Sequence, residues 1–156
     1  MQTGASVPSG LHLKRPCLLV SDLERSLTLY RDCLGFKLDY VGKADPDSYL
    51  YPVFQLPATA QLRFAALSTE YEPRALALTE VRNCPLPPPS TPYRGATVIR
   101  VPLLASVLQR LQSLDLAPIA ASSFDTPPNL TFTEQAFCDF DGHLIVLYEV
   151  QKSSNS

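Results

Sequence analysis

Residues 17–36 read CLLVSDLERSLTLYRDCLGF, and their order predicts a strand, a helix and a stop. Cys17 to Val20 is a short apolar run behind Lys14, Arg15 and Pro16, the pattern of a strand covered on both faces. Ser21-Asp22-Leu23-Glu24 then has the spacing of a capping box, in which the Ser21 hydroxyl accepts from the Glu24 amide and the Glu24 carboxylate accepts from the cap's own amide. Leu23, Leu27, Tyr30 and Leu34 follow as one apolar stripe of a helix, and Gly35 supplies the left-handed residue that ends it.

The same pattern returns 81 positions later, where Arg15 falls on Ala96, Val20 on Val101, Leu23 on Leu104, Leu27 on Leu108 and Tyr30 on Leu111. A second match lies at an offset of 69 and places Leu76 to Val81 on Ile145 to Val150. The two offsets imply a duplicated module whose first copy carries about twelve additional residues between its helix and its last strand. Asn83 to Pro92, with Pro87, Pro88 and Pro89 in succession, can be neither helix nor central strand and reads as a stiff connector between the copies.

These signals divide the chain into a tail (1–10), a first module (11–82), the proline-rich linker (83–92), a second module (93–150) and a closing tail (151–156). Each module reads as strand, helix and three strands. In the first the later strands are expected around Lys37 to Val41, Gln61 to Leu67 and Ala75 to Val81. In the second they are expected around Pro118 to Ala121, Leu130 to Cys138 and Leu144 to Val150, with Asp141-Gly142 as a hairpin turn. Ser48 to Leu56 reads as a further strand or an ordered loop.

Composition narrows the function. Of 156 residues, 46% are hydrophobic and 18% charged, which supplies a core and argues against a disordered chain. Thirteen Lys plus Arg against fifteen Asp plus Glu leave a net charge of -2 with no basic run, so neither nucleic acid nor an anionic membrane is an expected partner. The small, polar stretch Met1 to Gly10 does not read as a secretory signal and no apolar run approaches the length that spans a bilayer, so a cytoplasmic location is expected. Cys17, Cys33, Cys84 and Cys138 have no C-x-x-C spacing and read as buried free thiols. No GxGxxG, P-loop or G-x-S-x-G pattern offers a nucleotide or serine-hydrolase site. Asp45-Pro46-Asp47 reads as a solvated turn.

Leu18 to Leu27 together with Tyr30-Arg31-Asp32-Cys33-Leu34-Gly35-Phe36 resembles the opening of the glyoxalase, bleomycin-resistance and extradiol-dioxygenase superfamily, the vicinal-oxygen-chelate fold. Phe137-Cys138-Asp139-Phe140-Asp141-Gly142-His143-Leu144-Ile145 is similar to its second signature, with Phe140 where proline is usual. The resemblance runs from about Leu11 to Val150. It implies an α+β fold of two tandem βαβββ modules, whose strands form a U-shaped, partly closed mixed sheet around a cavity with the helices outside. It also implies a homodimer.

The resemblance further implies where a metal would sit, with one ligand from the first and one from the last strand of each module. Those positions fall on Arg15, Ala77, Ala96 and Val146, of which none offers a donor to a cation. No cofactor is therefore expected. Glu80 and Glu149 lie three positions beyond the expected ligands, on the opposite strand face, and read as surface carboxylates at strand ends. His12 and His143 read as structural or exposed.

By alternation, the strand faces turned to the cavity are Arg15, Cys17 and Leu19, Ala77 and Thr79, Ala96, Val98 and Arg100, and Val146 and Tyr148. This is an apolar concavity with few polar groups, in which Arg15 would pair with a carboxylate or phosphate of the ligand. Cys17 lacks a visible general base, and no catalytic residue is assigned. The first expectation is metal-free binding of a small, partly apolar molecule, anionic where Arg15 meets it. The alternatives are a glyoxalase-type lyase, isomerase or dioxygenase, working through ligands placed elsewhere or without metal, and a non-catalytic accessory or regulatory subunit. Whether the chain is an enzyme is left open at this point.

Overall fold

A computed structural model describes residues 7–153, so residues 1–6 and 154–156 of the expected tails lie outside the described residues. The first module comprises β1 (Cys17–Val20), α1 (Leu23–Leu27), β2 (Lys37–Lys43), α2 (Leu50–Phe54), β3 (Gln61–Ser68) and β4 (Leu76–Arg82). The second comprises β5 (Thr97–Arg100), α3 (Leu104–Ser113), β6 (Pro118–Thr126), β7 (Leu130–Cys138) and β8 (Leu144–Lys152). The strands form two four-stranded mixed sheets, ordered β1-β4-β3-β2 and β5-β8-β7-β6. In each, the first strand runs parallel to the last and the other pairs are antiparallel. The fold is α+β, built as two tandem βαβββ modules.

The duplication extends to strand register. Cys17 pairs with Ala77 and Val98 with Val146, so the 81-residue offset of the first strands and the 69-residue offset of the last strands meet in the same rung. One apolar core joins the halves, with Leu23, Leu27 and Tyr30 beside Leu104, Val107 and Leu111, over Leu76 and Leu78 of one sheet and Ile145 and Leu147 of the other. Each sheet thus turns one face to the helices. The buried side chains Leu76, Leu78, Ile145 and Leu147 define it, and alternation assigns their neighbours to the helix-free face, which α2 meets only at the Leu62–Val81 end of the first sheet.

Several local expectations are corrected. The helix cap is Asp22 in place of Ser21, with extended backbone and Oδ1 accepting from the Arg25 amide at 3.1 Å. The Ser21 amide is instead held by Asp141 at 3.0 Å. Beyond Leu27 the helix widens into a π-wound stretch, Thr28–Cys33, in which the Leu34 amide reaches back to the Leu29 carbonyl at 2.9 Å. This wider winding buries Leu29, Tyr30 and Cys33 and leaves Leu34 half-buried, so the expected stripe turns part-way along. Gly35 does end the helix with φ of 97°, whereas α3, which no glycine follows, is ended by Asp115 with φ of 59°.

Ser48 to Leu56 is neither strand nor loop: its centre is α2, with Pro52 in the first turn, where a missing amide hydrogen costs nothing. Leu50, Tyr51 and Leu56 pack with Leu86 of the linker against a small cluster of Ala60, Leu62 and Val81. The additional residues of the first module and part of the linker therefore cover one end of the first sheet. β6 runs to Thr126 and β8 to Lys152, longer than expected, because β7 pairs with both along its length.

Of the four cysteines expected to be buried, Cys33 is buried, Cys84 and Cys138 are half-buried and Cys17 is exposed at the start of edge strand β1. Burial raises the Cys33 thiol's pKa, against the opposing charge of Arg110, and keeps it neutral. Among the described residues no helix is long and apolar enough to cross a membrane.

Candidate functional site

Of the residues that alternation selected, eight lie on strands β1, β4, β5 and β8, and Arg15 and Ala96 precede theirs. On the first sheet Cys17 and Leu19 of β1 lie beside Ala77 and Thr79 of β4, which are in turn paired with Ala66 and Phe64 of β3. Ala77 and Thr79 are buried, and the Thr79 hydroxyl has no hydrogen-bond partner among the described residues. Arg15 does not belong to β1, which begins after Pro16. Its guanidinium nevertheless lies over the Phe64 ring, 5.8 Å from the centroid, and Nη1 donates to the Arg74 carbonyl at 3.3 Å. Among the described residues it makes no salt bridge, so its charge faces an aromatic ring and a carbonyl but no carboxylate.

On the second sheet Val98 and Arg100 of β5 pair with Val146 and Tyr148 of β8. Ala96, like Arg15, precedes its strand; it is exposed, as are Arg100 and Val98, the last at 62%. The sequence reading missed an aromatic ladder here. Phe124 stacks on Phe132 with centroids 5.3 Å apart, and Phe132 stacks on Tyr148 at 6.1 Å. Tyr40 and Phe64 form a corresponding pair at 6.4 Å on the first sheet. Their alternation within β2, β3, β6 and β7 was visible in the sequence, but which of them meet depends on register between strands, including the irregularities at Leu38–Tyr40 and Pro118–Ala121.

Two cavities open away from these residues, at the end of the first sheet. One, of about 410 Å³, is lined by Ser21, Val81 and the start of the linker. The other, of about 540 Å³, lies between strands β2, β3 and β4 and the α2 region, with Lys43, Arg63, Glu80 and Arg82 in its wall. Neither is lined by any of the residues selected by alternation.

Glu80, expected at the surface, is buried at 2% exposure, because it faces the helix layer and caps α1. Its Oε2 accepts the Leu23 amide at 2.7 Å and Arg63 at 3.1 Å, while Oε1 accepts from Arg82 at 2.9 Å. Burial alone would raise its pKa, but the hydrogen bonds from Arg82, the Leu23 amide and Arg63 outweigh it and hold the carboxyl at about 2. Glu149 is half-buried. His12 is exposed, and the His143 ring donates through Nε2 to the Leu19 carbonyl at 2.7 Å, joining the second hairpin to β1.

The positions that the resemblance marks for metal ligands hold a guanidinium and three aliphatic side chains, a set that does not fit a divalent cation. Among the described residues no three His, Cys, Asp or Glu side chains come together in a group that could hold a metal ion.

The chain matches the family described as Glyoxalase/Bleomycin resistance protein/Dioxygenase superfamily over residues 12–147. Its fold is similar to that of a glyoxalase family protein from Bacillus cereus, with a TM-score of 0.71 and 13% identity over 94% of this chain and 99% of that one. It is also similar to the trypanothione-dependent glyoxalase I of Leishmania major, with a TM-score of 0.60 and 20% identity over 90% and 87% of the two chains. An antibiotic-binding protein from a Streptomyces species gives a TM-score of 0.54 and 20% identity over 93% and 100%. At these identities the likeness is one of fold. No curated protein matches the chain.

Proposed function

Given that the chain belongs to the glyoxalase/bleomycin resistance protein/dioxygenase superfamily, we propose that it binds a small, partly apolar, anionic molecule on the helix-free faces of its sheets, without a metal. The observation that carries this reading is Arg15, a guanidinium with no salt bridge among the described residues, set over Phe64. A fixed charge above an aromatic ring beside Tyr40 suits a flat ligand bearing a carboxylate, whose body would rest on the rings while its acid meets Arg15. The ladder of Phe124, Phe132 and Tyr148 supplies a second flat apolar surface of the same kind. The antibiotic-binding protein from Streptomyces supports the reading, since the same fold there serves binding. Homodimerisation is part of the proposal: β6 is exposed along most of its length at a sheet edge, which a second copy would cover.

The test is the affinity of the protein and of Arg15→Ala for 2-naphthoate, a flat aromatic carboxylate. Loss of a charge-assisted bond predicts binding about tenfold weaker in the variant. Equal affinities would remove Arg15 from the site and with it the anionic part of the proposal.

A further inference from the structure

A cavity of about 540 Å³ at the end of the first sheet is within the roughly 300–1,000 Å³ of small-molecule pockets, and none of the candidate residues Arg15, Cys17, Leu19, Ala77 and Thr79 lines it. Its wall is divided by chemistry. Ala44, Pro46, Tyr51, Ala58, Ala60 and Leu62 supply its apolar lining, and the Tyr51 phenol is already committed to the Ala60 carbonyl at 2.8 Å. The charged lining comes from strand rungs. Lys43 pairs with Arg63 and Arg63 with Glu80, placing three charged residues side by side across β2, β3 and β4, and Arg82 follows two rungs on, on the same face, opposite Gln61.

Three cations and one carboxylate therefore line this cavity. The carboxylate is fully engaged, since Glu80 accepts from the Leu23 amide, Arg63 and, twice, Arg82. At the rim Glu24 reaches Arg63 at 3.5 Å with its own side chain 70% exposed, where water screens the pair, and Asp22 lies near Arg82. Lys43 makes no salt bridge among the described residues, and the buried Arg63 Nε has no hydrogen-bond partner among them. The lining thus offers more positive charge than Glu80 neutralises and a donor without an acceptor, next to a small apolar wall.

We propose that this cavity binds a small phosphate monoester, the phosphate taken by Lys43, Arg63 and Arg82 and the organic part laid against Ala44, Pro46 and Ala58. A dianionic head answers the charge of the wall better than a monocarboxylate, and its several acceptor oxygens suit cations that converge from three strands.

Phenyl phosphate is the probe, titrated into the full chain at low salt while backbone amide resonances are followed. Saturable shifts confined to the residues around Lys43, Ala58 to Leu62 and Arg82 are expected. Phenol should cause none. Lys43→Gln, at an exposed side chain with no hydrogen bond or salt bridge among the described residues, should weaken binding about tenfold, and Arg82→Gln should do likewise. Arg15→Ala should leave this affinity unchanged, which separates the outcome from that of the helix-free faces. The proposal is overturned by an absence of shifts at millimolar phenyl phosphate, by equal shifts with phenol, by shifts centred on Phe64 and Tyr148, or by unchanged affinity in both charge variants.

Discussion

The phenol of Tyr30 donates to the carboxylate of Asp139 at 2.7 Å, joining positions 109 residues apart in the chain and one from each module. Asp139 also accepts the amides of Asp141 at 3.0 Å and His143 at 2.8 Å, so a single buried carboxylate shapes the second hairpin and fastens it to the first helix. Ser21 to Asp141 and His143 to Leu19 complete the contact. The two sequence motifs that resemble the superfamily are thus each other's partners, and they hold the modules together.

Tyr30→Phe should lower stability by about 1–3 kcal/mol, the range for leaving a buried acceptor short of a donor. Burial and the Asp139 carboxylate both raise the Tyr30 pKa well above its ordinary value, so the phenol remains a donor throughout the ordinary pH range. Urea denaturation of the two proteins measures the difference. A change of less than roughly 0.5 kcal/mol would place the bond outside the interactions that matter to stability.

Glycine is required differently at two turns. Gly35 and Gly142 have φ of 97° and 86°, but a Cβ on Gly35 meets open space whereas one on Gly142 would overlap the Pro89 ring. Both alanine variants should be destabilised by strain of about 1 kcal/mol, and Gly142→Ala by more, because the linker must also move. Thermal unfolding of the pair checks the order. Equal losses would mean that the linker yields freely at Pro89.

Acid should act through Glu80. Its folded pKa of about 2 lies below the roughly 4.3 of a free glutamate, so between those values the unfolded chain binds the extra proton. The stabilisation it contributes is complete above the ordinary value and is lost as the pH falls toward about 2. Glu80→Gln, which can still accept the Leu23 amide, should flatten this part of the acid limb when denaturation midpoints are compared across it. An unchanged slope would assign acid sensitivity to other carboxylates.

The duplication was legible because it rests on local patterns. Val20 with Leu23 and Val101 with Leu104 repeat the same strand-to-helix spacing, and the strands before them agree in register, Cys17 pairing with Ala77 as Val98 pairs with Val146. What stayed hidden depends on partners distant in sequence. Ser21 yields the cap to Asp22 while its amide is taken by a residue 120 positions away. Glu80 looked like a surface acid because Arg63 and the Leu23 amide come from other elements. Residues 48–56 hold an apolar run interrupted by Pro52, with no periodicity to distinguish helix from strand. Of the candidate site, alternation chose the strand faces, while the aromatic ladder required cross-strand register.

The central claim, binding on the helix-free faces without a metal, is tested most directly by titrating chelator-dialysed protein with 2-naphthoate and mapping the amide shifts before and after adding zinc, nickel or manganese. The account predicts saturable shifts around Leu19, Phe64, Thr79 and Tyr148 that are the same with and without the metals. Shifts that emerge only once a metal is added, or none at those residues, would contradict it.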